Sequence, residues 1–175
     1  MSTLTKKFTK VLGFKGFRIA LLGFLCFITP FISAKYSPAL ILDPREVVID
    51  DRLLDAIIQI ESSNNPKAHN RFTGARGLTQ ITPIAWRDLR RHHANKYNKL
   101  NYLRDIFKPA VAREAGKDYL QILATYLKAK GMPITYHNLL TAYVWGPDNL
   151  YKLGIKKLPK NGRNYVAKVM GLLDA

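Results

Sequence analysis

Apolar residues recur along much of this chain at helical spacing. Leu53, Leu54, Ile57, Ile58 and Ile60 fall three and four apart behind Asp50 and Asp51, either of which can cap a helix N-terminus. That spacing predicts a helix ended by Asn64-Asn65-Pro66. Thr82-Pro83 supplies a cap and a first helical residue, and predicts a second helix to about Arg91. A longer helix is predicted from about Pro109 to Lys130, with Val111, Ala115, Tyr119, Ile122, Leu123, Tyr126 and Leu127 as its stripe and Gly131 as its stop. Two more follow, at about Thr135 to Val144 and Asn164 to Leu173. Residues 90–108 read as basic and irregular, and residues 67–78, with Gly74 and Gly77, as a loop or short hairpin. No convincing run of strands and no internal repeat is present. The fold class is mostly α, with room for one short β-hairpin near residues 70–80.

One apolar run is different in kind. Ile19 to Ile32 is nearly continuous over 14 residues and follows Lys6, Lys7, Lys10, Lys15 and Arg18. It ends at Ser33-Ala34. Basic head, apolar middle and small-residue end are the order of a secretory signal. The run is short against the roughly 20 residues of a membrane span, and Pro30 would break it. Ile32, three residues before the expected cut, is bulkier than such sites prefer, so a retained anchor stays open. The chain then divides into a signal peptide or anchor at 1–34, a lead-in segment at 35–49 and a domain at 50–175.

Charge and cysteine narrow the setting. The chain holds 28 Lys and Arg against 12 Asp and Glu, a net charge of +16. Cleavage after Ala34 would remove five of those cations, leaving +11, and would also remove Cys26, the only cysteine. The domain would then have no disulfide, thiol nucleophile or cysteine-held metal. The excess of cations suits nucleic acid, an anionic membrane surface or the acidic polymers of a cell envelope. Export favours the envelope. His69, His92, His93 and His137 lack metal-ligand spacing, and no cofactor is expected. The basic stretch 87–104 is read as a solvated or wall-gripping face rather than a nucleic-acid site.

Glu61 stands at the end of the first predicted helix, beside aliphatic side chains. Burial and the partial negative charge of a helix C-terminus both disfavour its ionised form. A carboxyl protonated near neutral pH is what a general acid requires. A surface glutamate would read the same way on this ground alone. Asp50, Asp51 and Asp55 lie upstream and Asp88 downstream, and Asp55 falls about 600° around the helix from Glu61, facing away.

Four short motifs settle the weighting. Glu61-Ser-Ser-Asn-Asn-Pro66, Gly77-Leu-Thr-Gln80, Ala142-Tyr-Val-Trp-Gly-Pro147 and a late Tyr165 occur in an order that resembles the lytic transglycosylases of the soluble type, within the lysozyme-like superfamily. Asp105 to Pro109, leading into Tyr119-Leu120, is similar to a further segment of that family. The resemblance implies a lysozyme-like helical fold. It gives Glu61 the sole acid/base role, places Ser62 near the cleaved bond and Gln80 on the sugar, lets Tyr143 orient Glu61, and has Tyr165 close the cleft.

Two departures qualify it. Thr79 stands where the family has Met, a change expected to alter packing against the sugar little. Val144-Trp145 stands where it has Asn-Ala, which puts that Asn's substrate contact in doubt. Trp145 then either stacks on a sugar or packs in the core.

The implied reaction explains why one carboxylate suffices. Most glycosidases need two, one of them to activate water or attack the sugar. Here the substrate's own N-acetyl group and C6 hydroxyl would fill that role, and the bond between N-acetylmuramic acid and N-acetylglucosamine would open without water. The expected partner is the peptidoglycan strand, with a monomeric, exported, periplasmic or envelope-associated protein acting on it. A hydrolytic muramidase, or a non-catalytic relative serving a secretion system, pilus or phage, are the rival readings.

Overall fold

The computed structural model describes residues 49–175, so the expected signal segment and most of the lead-in lie outside the described residues. The first helix, α1 (Asp51–Ser62), begins as its sequence predicts: the Asp50 carboxylate accepts the backbone N–H of Leu53 at 2.7 Å. Its apolar positions point two ways. Leu53, Ala56 and Ile57 enter one buried cluster, Leu54 and Ile58 another.

The long helix α5 (Pro109–Ala129) does the same, giving Leu120, Leu123, Ala124 and Leu127 to the first cluster and Ala112 and Ala115 to the second. Together α1 and α5 form the spine between two small cores. One side is completed by α2 (Pro83–His92), α3 (Ala94–Tyr97) and α4 (Tyr102–Asp105). The other is completed by α6 (Tyr136–Trp145), α7 (Pro147–Leu153), a 3-10 turn at Ile155–Lys157, and α8 (Lys160–Leu173).

Thr82 caps α2 through its hydroxyl, Pro83 is the first helical residue, and Thr135 caps α6 in the same way. Four details differ from the sequence reading. Residues 90–108 are not irregular throughout, since α3 and α4 lie within them. Helix α7 was not expected, although Pro147 is a good first helical residue. Helix α8 starts at Lys160, four residues before Asn164. On α5, Val111, Tyr119, Ile122 and Tyr126 are only half-buried, and the fully buried stripe is Ala112, Ala115, Gly116, Leu120, Leu123, Ala124 and Leu127. Small residues carry that stripe because α5 packs at close range: a Cβ on Gly116 would stand 2.6 Å from Thr79 Cγ2.

The segment 66–81 forms no strand. Two isolated antiparallel bridges, His69 with Arg76 and Arg76 with Ile81, are all that remains of the expected hairpin. Side chains hold the loop instead. Asn70 accepts the N–H groups of Phe72 and Thr73, and the Tyr102 hydroxyl lies 2.6 Å from the Gly74 carbonyl and 2.8 Å from that of Ile81. Gly77, at φ +75°, lets the loop press on the segment before α5, where a Cβ would stand 2.4 Å from the Ile106 carbonyl oxygen.

Candidate active site

Glu61 lies in the last turn of α1. The helix stops one residue later because Ser63 and Asn64 turn left-handed, at φ 50° and 62°. The last turn of α1 contains no basic residue to neutralise the carboxylate. Burial therefore dominates, and it lifts the Glu61 pKa from 4.5 to about 7. Only the Tyr165 hydroxyl pulls it back.

Tyr165, from α8, has a buried hydroxyl with no partner at direct hydrogen-bonding geometry. It nevertheless stands close enough to Glu61 for each to shift the other. Its own pKa is held well above the usual phenol range, first by burial and then by the Glu61 charge.

Tyr143, from α6, feels the same charge and is raised chiefly by burial. Its hydroxyl donates to the Thr79 carbonyl oxygen at 2.6 Å, however, rather than to Glu61. The ring meets Tyr119 edge-on, with centroids 5.6 Å apart. Two tyrosines, from α6 and α8, thus stand beside one acid, and Tyr119 of α5 backs the first of them. Tyr119 was legible only as a member of the α5 stripe, because its role depends on a partner that lies on another helix.

The other expected site residues divide. Ser62 is half-buried next to Glu61, and its hydroxyl donates back to the Ile58 carbonyl at 3.1 Å. Gln80 is half-buried in a left-handed conformation, φ 45°, a strained backbone for a residue with a side chain. Its amide nitrogen is within hydrogen-bonding distance of the Ala68 and Gly77 carbonyls, at 3.2 and 3.0 Å, so that nitrogen is spent on its own loop. The rest of Gln80 lines an open depression of about 500 Å³ with residues 68–72.

Thr79 is not a cleft residue. It is fully buried, with its hydroxyl donating to the Ala112 carbonyl at 2.9 Å. The expected packing of this position against sugar gives way to packing on α5. Trp145 is half-buried against the first core, and Val144 is 39% exposed.

Eight other carboxylates of the described residues have partners elsewhere. Asp50 caps α1 and accepts the Tyr136 hydroxyl. Asp51 pairs with Lys117, Asp55 with Arg113, and Asp88 with Arg91. Asp105 is buried between Arg104 and Lys108, whose contacts hold its carboxyl well below the usual range. Glu114 and Asp118 share Lys96, and Asp148 accepts the Tyr126 hydroxyl. Among the described residues, no group of three His, Cys, Asp or Glu is placed to hold a metal ion.

The family model of the transglycosylase SLT domain matches residues 45–165, more than half of the chain. The protein therefore belongs to the SLT family, the soluble-type lytic transglycosylases of the lysozyme-like superfamily, whose general activity is cleavage of peptidoglycan. Neither the curated proteins nor the solved structures gave a significant match.

Proposed function

We propose that this protein is an exported enzyme that cleaves the bond from N-acetylmuramic acid to N-acetylglucosamine without water, with Glu61 as its single acid and base. The observation that carries the reading is the Glu61 carboxyl, lifted by burial to about 7 while Asp51, Asp55 and Asp88 are bound into ion pairs. A group with that pKa holds its proton at neutral pH and can also take one back.

The steps balance without a second carboxylate. Glu61 gives its proton to the glycosidic oxygen, and the C1–O bond breaks with its electron pair going to that oxygen. The N-acetyl oxygen of the muramoyl sugar stabilises C1. The Glu61 carboxylate then takes the proton of the C6 hydroxyl, and O6 bonds to C1 as the N-acetyl oxygen leaves. The products together contain the atoms of the substrate, one of them as a 1,6-anhydro sugar.

Tyr165 acts on this cycle by favouring the ionised form of Glu61. Tyr143 acts at one remove, by fixing the Thr79 carbonyl and so the loop that carries Gln80. The apolar run 19–32 behind its five cations supports export to the envelope. Clearing of a peptidoglycan suspension tests the assignment. Glu61→Gln should lose roughly 10²–10⁴-fold in rate, the usual worth of a positioned acid. Undiminished clearing by that variant would remove Glu61 from the mechanism.

A further inference from the structure

Residues 149–173 hold Lys152, Lys156, Lys157, Lys160, Arg163 and Lys168 and not one Asp or Glu. Within that stretch Tyr151, Leu153 and Ile155 are 48%, 55% and 40% exposed. Helix α7 ends at Leu153, Gly154 turns at φ +75°, and the 3-10 turn follows at once. Apolar and lysine side chains therefore alternate on one exposed tip. Lys130 adds a cation over the Tyr151 ring, 4.7 Å from its centroid.

Single exposed aliphatics are ordinary on a protein surface. Three apolar side chains among unpaired lysines within seven residues are a different pattern. We propose that this tip seats the domain on the surface of an anionic lipid bilayer, with Leu153 and Ile155 in the headgroup boundary and the lysines on the phosphates. A soluble polyanion would satisfy the lysines but leave Leu153 and Ile155 in water. A bilayer interface takes both, because lysine stems lie along apolar surface while their ammonium groups reach the headgroups. Tyr151 is amphipathic in the same sense.

The contact is peripheral, since no helix among the described residues is long and apolar enough to cross a membrane. The other basic surface, around Arg87 and Arg90, is a useful control. Its neighbours Arg91 and Arg104 are already paired, with Asp88 and Asp105.

Hydrogen–deuterium exchange on the full chain tests the proposal, with vesicles of phosphatidylcholine alone or mixed with phosphatidylglycerol. Exchange at residues 151–157 should slow on the anionic vesicles only. Lys156→Gln with Lys157→Gln should move the protection midpoint to about 30-fold more lipid, roughly 2 kcal/mol at about 1 kcal/mol per lysine. Leu153→Ser with Ile155→Ser should abolish protection at moderate salt. Arg87→Gln with Arg90→Gln should change the midpoint by less than about threefold.

All variants keep residues 1–48, so any contact made there cancels, and all the altered side chains are exposed. Equal protection on neutral vesicles, no protection at all, protection by a soluble anionic polysaccharide, or equal effects at the tip and at α2 would each overturn the proposal.

Discussion

Replacing Glu61 with Gln should make the protein more stable at neutral pH as it makes it inactive. In the unfolded chain this carboxyl ionises near 4.5, while in the folded protein burial holds the proton on to about 7. Between those values the folded state binds the extra proton, so stability falls as pH rises. The penalty is absent below about pH 4 and complete above about pH 8. At 1.36 kcal/mol per pH unit it amounts to about 3 kcal/mol. Gln has the same shape and no charge to desolvate, so it escapes the penalty.

The difference between variant and wild type should therefore grow from pH 4 to pH 8, reaching about 10 °C in Tm for a domain of this size. Thermal melts followed by circular dichroism at pH 4, 6 and 8 measure it. Every other titrating group is common to both proteins, so the pH dependence of the difference belongs to Glu61. A difference that stayed constant with pH, or that shrank toward pH 8, would refute a carboxyl whose burial sets its pKa.

Further outcomes follow from the neighbours of that acid. Tyr165→Phe removes the hydroxyl that lowers the Glu61 pKa, so the alkaline fall in peptidoglycan-clearing rate, expected near pH 7, should move to higher pH. Thr79→Met, which restores the family's residue, should destabilise the fold by about 1–3 kcal/mol in denaturant melts, because the site is filled against Gly116. Gly77→Ala should cost about 2–4 kcal/mol by the same measurement, through its left-handed backbone and the Ile106 carbonyl. Val144→Asn, at a position open to solvent, should leave Tm unchanged within about 2 °C while raising the clearing rate.

The helices were legible where a cap and an apolar period agree, as at Asp50 and Leu53 or Thr82 and Pro83. They were not legible where neither is strong. The turns α3 and α4 hold only four residues each and exist because Tyr97 and Ile106 are drawn into the second core. The buried stripe of α5 was legible at Ala115, Leu123 and Leu127 and missed chiefly at Ala112, Gly116 and Ala124, because small residues give little hydrophobic signal where close packing prefers them.

At the site, the motifs announced the family and singled out Glu61, which its position alone would leave as a surface glutamate. Partners could not be read in the same way. That Tyr143 meets a backbone carbonyl, that Thr79 points into α5, and that Gln80 ties its own loop all depend on contacts between residues 12 to 64 positions apart. No local pattern encodes those.

Digestion of purified peptidoglycan in H₂¹⁸O, with the released muropeptides weighed by mass spectrometry, addresses the central claim directly. Cleavage by Glu61 without water predicts 1,6-anhydromuramoyl ends, one water lighter than reducing ends and free of ¹⁸O, and roughly 10²–10⁴-fold less product from Glu61→Gln. Reducing ends carrying ¹⁸O would contradict it and make the protein a hydrolase.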